Sequence, residues 1–297
     1  MERDLILSFD GFKYQCRLVE HPRPSLAPVL LLGGAFQDRH SWARQEARLA
    51  PLTTVLTVDL PGTGCADPLP ASYGIEFLAD AVHHMVTEVG LPPLNIMGGS
   101  YGGTIAYRLA QRHPALVRRL LLCGTALRIP DAIRSHARAS IDLLRTGDRE
   151  AFVRSTIALF LCANPTGPIH RRLPVTRLLE RQLRSLTPDQ ADKYAVNTER
   201  VLACTASDIG SPPTCPLLVV TGEHDTLTTP AMCRATADDC PDARFTAIRD
   251  ADHLLPLQRA DEFADLLIRY FDDQPIDNLP YCASPHDQGV PQVVLTT

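Results

Sequence analysis

The chain has 297 residues, of which 45% are hydrophobic and 21% charged, with a formal net charge of -5. That length holds one large domain, or a core with an insertion, and the composition is ordinary for a globular protein. The negative balance argues against nucleic acid as the main partner, and no stretch is long and apolar enough to span a bilayer.

Met1-Glu2-Arg3-Asp4 leads into an alternating apolar pattern rather than a signal peptide, so a cytoplasmic location is expected. Two strand-like runs, 5–9 and 12–19, flank Asp10-Gly11, which predicts a hairpin. A proline-rich link over 22–28 precedes Val29-Leu30-Leu31-Leu32, a continuous apolar run typical of a strand covered on both faces. It ends in Gly33-Gly34-Ala35-Phe36. A glycine pair lets the backbone turn with its N–H groups exposed, so the Ala35 amide is a candidate oxyanion donor, with Phe36 as the alternative. A helix is expected over 41–50, with Trp42 packing, and a strand over 55–59. Asp59 sits in a tight loop, where a carboxylate ties backbone amides together. Residues 75–89 have the apolar spacing of an amphipathic helix. His83 and His84 lie within it, but neighbours in sequence diverge around a helix and do not form a paired ligand site.

Next comes an apolar run ending in Gly98-Gly99-Ser100-Tyr101-Gly102-Gly103, and then a helical pattern over 104–112. Strand, G-x-S-x-G and helix together predict a nucleophile elbow with Ser100 at its tip. So sharp a turn strains the serine and brings strand and helix into close approach, where a glycine has no Cβ to clash. The Tyr101 amide, one residue after the serine, is the expected second oxyanion donor.

A further strand is expected over 117–123. From 125 to 213 the strand signals stop, and four helical segments follow, near 129–145, 149–161, 175–186 and 188–204. Thr187-Pro188-Asp189-Gln190 has capping-box spacing with proline at the first helical position. Helices inserted into a strand–helix alternation predict a cap over the sheet, some of whose apolar residues would line a substrate tunnel. The alternation resumes with a strand over 217–221, Gly222-Glu223-His224-Asp225, a helix over 230–240 and a strand over 243–248. The loop Arg249-Asp250-Ala251-Asp252-His253 and a closing helix over 257–271 follow. The expected division is a core of 1–124 and 214–271, a helical cap of 125–213, and a poorly ordered tail of 272–297. The fold class is α/β, with mostly parallel strands.

Ser100, Asp225 and His253 occur in the order nucleophile, acid, base, and each leaves a strand on the same expected edge of the sheet. His253 would take the serine proton, and Asp225 would fix the imidazole tautomer. Asp250 and Asp252 are rival acids close to His253 in sequence, but adjacency gives the wrong geometry for the ring nitrogen. His224 is expected to be solvated or a loop anchor, and His40 is the next histidine to consider. Nine cysteines are scattered without a CxxC pair, which reads as free thiols; Cys65 is the one expected near the site. Without a dinucleotide fingerprint, a P-loop or metal-ligand spacing, no cofactor and no metal are expected.

These motifs, Gly-Gly-Ser-Tyr-Gly-Gly, Gly-Glu-His-Asp and Ala-Asp-His, resemble those of the α/β-hydrolase superfamily from residue 5 to residue 271. The resemblance implies a mostly parallel central sheet flanked by helices, with an inserted helical cap. It also implies a triad of Ser100, Asp225 and His253. One departure is Gly33-Gly34, where many members carry His-Gly. Ser100 stands where dehalogenases and most epoxide hydrolases of this fold have aspartate. The Gly-Gly-Ala start and the segment 141–152 are similar to hydroxyacyl transferases of hydroxyalkanoate and rhamnolipid pathways, which implies acyl thioesters on a carrier protein or coenzyme A as partners. The expected activity is a serine hydrolase cleaving an ester, thioester or lactone. The alternatives are an acyltransferase with the same first half-reaction, and a non-catalytic binding protein that keeps the pocket.

Overall fold

A computed structural model of the chain describes residues 1–283, with no side-chain detail at 206 and 207. Strands β1 (Glu2–Phe9) and β2 (Phe12–Val19) form the expected hairpin. Asp10 and Gly11 both have positive φ, 49° and 86°, so the two turn residues follow the twist of the strands they join. Six further strands are β3 (Val29–Leu32), β4 (Val55–Asp59), β5 (Leu94–Gly99), β6 (Val117–Cys123), β7 (Leu217–Gly222) and β8 (Arg244–Ile248). They build one eight-stranded sheet in the order β1-β2-β4-β3-β5-β6-β7-β8, parallel from β4 to β8 and antiparallel at the β1 and β2 end.

The apolar runs are continuous because both faces are covered, and the period-two alternation sorts them. Leu30, Leu32, Ile96, Leu120, Leu122 and Val219 face one core, beneath α2 (Ile75–Val89), α3 (Tyr101–Arg112) and α8 (Pro230–Asp238). Val29, Leu31, Met97, Leu121, Leu218 and Val220 face the other, beneath α1 (Ala43–Leu49) and α10 (Ala260–Phe271). Trp42 is buried in this second core, in the packing role expected of it.

Between β6 and β7 lie four helices, α4 (Asp131–Arg145), α5 (Arg149–Phe160), α6 (Arg172–Arg184) and α7 (Pro188–Ala203). They carry their own core around Phe152, Leu159, Leu183 and Tyr194, against which Phe36, Leu227 and Leu254 of the sheet loops pack. The capping box at Thr187 and Gln190 is formed, with Pro188 opening α7.

Two expectations need correction. The closing helix is broken: α9 (Leu255–Gln258) stops at Arg259, whose φ of -121° and ψ of 51° are not helical, before α10 begins. Residues 272–283, expected to lack order, instead pack on the sheet. The Arg249 N–H donates to the Tyr281 carbonyl at 2.9 Å, and the Ala283 N–H to the Ala247 carbonyl at 2.8 Å. Cys282 bridges Ile248 antiparallel, and Ile276 is buried in the second core. An edge strand presents unpaired backbone groups, and this segment pairs with the end of β8, at the Ala247 carbonyl and the Arg249 amide just beyond the strand. Residues 284–297 of the expected tail lie outside the described residues. Among the described residues no helix is long and apolar enough to cross a membrane.

Candidate active site

Ser100 stands between β5 and α3 with φ 49° and ψ -112°, a conformation that a non-glycine residue holds only under strain. The close approach required here leaves no room for larger residues. A Cβ on Gly102 would lie 2.5 Å from the Gly33 and Leu32 carbonyl oxygens, and one on Gly98 would lie 2.6 Å from the Gly103 Cα. The turn is pinned from β6: the Ser100 N–H donates to the Cys123 carbonyl at 2.8 Å, and the Thr125 hydroxyl donates to the Ser100 carbonyl at 3.2 Å. The N-terminus of α3 begins directly after Ser100, so negative charge near its oxygen is favoured.

The loop after β3 approaches the same serine. The Gly34 N–H donates to the Gln37 side chain at 2.7 Å, and the Gln37 N–H returns to the Gly34 carbonyl at 3.2 Å. Phe36 has φ 63° and stacks on Tyr194 of the cap at 4.1 Å between ring centres. Gln182 of α6 donates to the Phe36 carbonyl. Among the described residues, the Ala35, Phe36 and Tyr101 amides have no protein acceptor.

Asp225 follows β7 and His253 follows β8, so all these groups gather at the carboxyl ends of parallel strands, where open α/β sheets build sites. His253 Nε2 is 3.2 Å from Ser100 Oγ, and its Nδ1 is 2.9 Å from Asp225 Oδ2. Asp225 is held on every side. Its Oδ1 accepts from the Leu227 and Thr228 amides at 2.9 and 2.8 Å, and its Oδ2 from the Thr221 and Thr228 hydroxyls at 2.7 and 2.8 Å.

Burial disfavours charge on both partners. For Asp225 the adjacent His253, the threonine hydroxyls and the loop amides overcome it, and the carboxyl is held below its ordinary range. Burial also opposes the imidazolium, but the Asp225 carboxylate outweighs it and lifts His253 above the ordinary histidine value. An ionised carboxylate can only accept, so the proton lies on Nδ1 and Nε2 is left to accept from Ser100. Phe160 of α5 meets the His253 ring edge-on at 5.3 Å.

The rival residues are placed elsewhere. Asp252 accepts from the Leu254 amide and the Gln258 side chain at 3.1 and 2.8 Å, and burial raises its carboxyl above the ordinary range. Asp250 faces Arg259 at 3.7 Å. The His224 side chain is buried, and its backbone N–H donates to the Ala251 carbonyl, a loop anchor. His40 is exposed, with its amide on Asp38. Asp59 binds the Cys65 and Arg39 amides as expected, and also the Arg39 guanidinium at 2.6 Å. All nine cysteines are free thiols.

Two supports were not read from the sequence. The first is the Thr221 and Thr228 pair around Asp225. An aspartate followed three residues later by threonine is a spacing at which a side chain meets nearby backbone, and it offered a signal. The second is Arg200 in α7, 2% exposed, which no local pattern marks. Its guanidinium donates to the Tyr73, Leu69 and Pro70 carbonyls at 2.6, 2.9 and 3.0 Å, to the Tyr101 hydroxyl at 3.2 Å and to Asn197. This knot ties the cap to the residue next to Ser100. Burial pushes the Tyr101 phenol up to about 12 despite that guanidinium, so it stays neutral.

Ser100 opens into a cavity of about 490 Å³ between the sheet loops and the cap, a volume suited to a small organic ligand. Its lining includes Ile133, Leu159, Val201, Leu202, Cys65 and the buried Lys193.

The chain is 30% identical over 249 residues to a pimeloyl-[acyl-carrier protein] methyl ester esterase of Chromobacterium violaceum, covering 83% of this chain and 94% of that one. A protein of the same name from Neisseria meningitidis serogroup C is 30% identical over 246 residues, covering 80% and 91%. Among solved structures, an enol-lactonase from Burkholderia xenovorans aligns with a TM-score of 0.77 at 25% identity, over 90% of this chain and 100% of that one. An alpha/beta hydrolase enzyme from a Medee basin deep-sea metagenome library aligns with a TM-score of 0.81 at 17% identity, over 92% and 99%. The family described as alpha/beta hydrolase fold matches residues 27–260, and with that span and these relatives the chain belongs to the α/β-hydrolase fold family.

Proposed function

We propose that this protein is a carboxyl-ester hydrolase that works through an acyl-enzyme on Ser100. The observation that carries the reading is the hydrogen-bonded relay from Ser100 Oγ through His253 to Asp225, opening into a cavity of about 490 Å³. A serine hydroxyl is a weak nucleophile until a base within hydrogen-bond reach removes its proton. His253 Nε2 takes that proton as Oγ bonds to the ester carbonyl carbon. When the tetrahedral intermediate collapses, the bond to the alcohol oxygen breaks and His253 returns the proton to that oxygen. Water then attacks the acyl-Ser100 carbonyl, His253 accepts its proton, and the proton passes to Ser100 Oγ as the acid leaves. Asp225 keeps the ring in the required tautomer and offsets its charge while it is protonated.

The oxyanion in each half-reaction falls to the Ala35 and Tyr101 amides, with Phe36 as the alternative. Their lack of any protein acceptor among the described residues supports this role, as does their place on the cavity wall beside Ser100. The apolar wall of Ile133, Leu159, Val201 and Leu202 suits an acyl chain. The esterases that resemble this chain are named for an acyl-carrier-protein ester, which favours a carrier-bound acyl ester as the substrate class.

The test is trapping. Rapid quenching of the protein with a medium-chain methyl ester, followed by intact and peptide mass measurement, is expected to show one acyl group on Ser100. Added ethanol separates the two fates of the adduct: free acid as the main product supports a hydrolase, and ethyl ester as the main product a transferase. Turnover without any adduct on Ser100, under conditions where deacylation is slowed, would overturn the mechanism.

A further inference from the structure

Phe36 holds a backbone conformation that its side chain disfavours. Among the described residues, five of the eight non-glycine residues with positive φ are Asp or Asn, which tolerate the left-handed region. Phe36, at 63°, is the one aromatic residue among them, and it lies in the loop that approaches Ser100. That loop is a four-residue turn, closed by the Gln37 N–H on the Gly34 carbonyl at 3.2 Å, with Ala35 and Phe36 as its central pair. A positive φ at the third position of such a turn is glycine's place.

The two commonest turns of this length differ by a rotation of the peptide between the central residues, and the sign of φ at the third residue records which one is present. Here that peptide carries the Ala35 carbonyl and the Phe36 N–H. Rotating it would exchange a donor that has no protein acceptor for an acceptor oxygen, beside the place where negative charge develops in the reaction. The bond from Gln37 to Gly34 closes the turn in either form, so it does not choose between them.

The choice comes from the cap. The Phe36 ring stacks on Tyr194 of α7 at 4.1 Å and 22° between planes, and meets Phe160 and Phe152 of α5 at 6.0 and 6.5 Å. Gln182 of α6 donates to the Phe36 carbonyl. Helices α5, α6 and α7 thus grip one strained residue, by its ring and by its carbonyl. Strain of this kind persists only where the surroundings over-determine it. Ungripped, a residue with a Cβ favours the ordinary region over the left-handed one by roughly 5- to 30-fold.

Resting on the acyl-enzyme reading, we infer that Phe36 is a positioning residue through which the cap sets the oxyanion loop. Tyr194 and Gln182 hold the central peptide with its N–H available, and release of either lets that peptide turn over. The cap then helps to stabilise the tetrahedral intermediate, besides roofing the cavity.

Alanine and glycine at this position test the inference, because Phe36→Ala and Phe36→Gly remove the same ring and differ by one methyl. Alanine keeps the backbone strain, and glycine has none. On a methyl ester, kcat for Phe36→Ala is expected to fall roughly 5- to 30-fold, and kcat for Phe36→Gly to stand at least ~5-fold above it, with KM alike in the two. A ring that only packs the cap predicts the reverse order, since glycine packs less and is more flexible. Gln182 is exposed, so Gln182→Leu leaves the fold and every ring in place and decides the matter if Phe36→Ala does not fold. It should lower kcat at least ~3-fold alone and less than ~2-fold when combined with Phe36→Gly. The pH midpoint should stay where it is in every variant, because the relay through His253 is untouched. Three results would overturn the assignment: Phe36→Gly at or below Phe36→Ala, a Gln182→Leu effect of equal size in both backgrounds, or changes confined to KM. Each of these, in proteins whose Ser100 still takes a fluorophosphonate, removes this inference alone; a native protein that takes no label would remove the acyl-enzyme reading first.

Discussion

Asp225→Asn isolates what the buried carboxylate does. In the native protein Oδ1 accepts two backbone N–H groups, while Oδ2 accepts from two threonine hydroxyls and from His253. An asparagine keeps its amide oxygen on the Leu227 and Thr228 amides, because only an oxygen can accept there. Its NH2 group then occupies the Oδ2 position. The Thr221 hydroxyl can turn to the Thr228 carbonyl, 3.2 Å away, and the Thr228 hydroxyl, 3.2 Å from His253 Nδ1, can turn to donate to that nitrogen. His253 cannot adapt so easily. Facing a donor, Nδ1 must give up its proton, and the proton moves to Nε2, which then points a hydrogen at Ser100 Oγ instead of a lone pair. The expected loss in kcat is ~10⁴, the size seen when this tautomer is wrong. That corresponds to ~5 kcal/mol at the transition state. Removing the carboxylate also leaves burial unopposed on the imidazole, so the His253 pKa drops below the ordinary histidine value. The assay is kcat and kcat/KM against pH on a methyl ester, with a thermal melt to show that the fold persists. A loss under ~10-fold with the acidic limb unmoved would refute the reasoning, because the tautomer would then be set by something other than Asp225.

The pH dependence of the native protein follows from the same pair. His253 must be neutral to accept the serine proton, and its folded pKa is raised, so kcat/KM should climb through a midpoint above the ordinary value of about 6.5; a midpoint below 6 would count against the Asp225 contact. Stability runs the other way. The contribution of protonated His253 is complete below about 6.5 and is lost as pH rises through the folded value, whereas that of Asp225 is present above about 3.9 and is lost as pH falls through its lowered folded value. Denaturant midpoints measured between pH 3 and 9 should show both slopes, and Asp225→Asn should flatten them. Gly102→Ala would push a methyl to 2.5 Å from the Gly33 and Leu32 carbonyls, which are backbone and cannot swing away. A cost of about 1–3 kcal/mol is expected, together with loss of activity as the Ala35 loop is displaced; a variant with native stability and turnover would show that the strand and helix are not in such close approach.

Some of this molecule was legible in the sequence because the signals are local. The Asp10-Gly11 turn, the continuous strand runs and the Thr187 capping box each depend on a few adjacent residues, and each is found where it was expected. Ser100, Asp225 and His253 could be nominated because chain order and strand ends constrain them, and the structure brings their side chains into hydrogen-bond contact. What escaped depends on partners distant in the chain. The tail over 272–283 is polar and aperiodic, but β8 is an edge strand, and the tail pairs with its end at Ala247, Ile248 and Arg249. The break at Arg259 leaves the apolar spacing of the closing helix uninterrupted, so periodicity could not reveal it. Arg200 would normally be assigned to the surface. Its burial depends on carbonyls of the loop around 69–73, about 130 residues earlier in the chain, lying within reach.

The most direct measurement is fluorophosphonate labelling of the native protein with peptide mapping, set beside ester turnover by Ser100→Ala. A single phosphonyl group on Ser100, and turnover reduced by ~10⁴ or more in a variant that melts like the native protein, is the predicted result. Turnover by Ser100→Ala within ~10-fold of native would contradict it, because the oxygen held 3.2 Å from His253 would then not be the one that attacks.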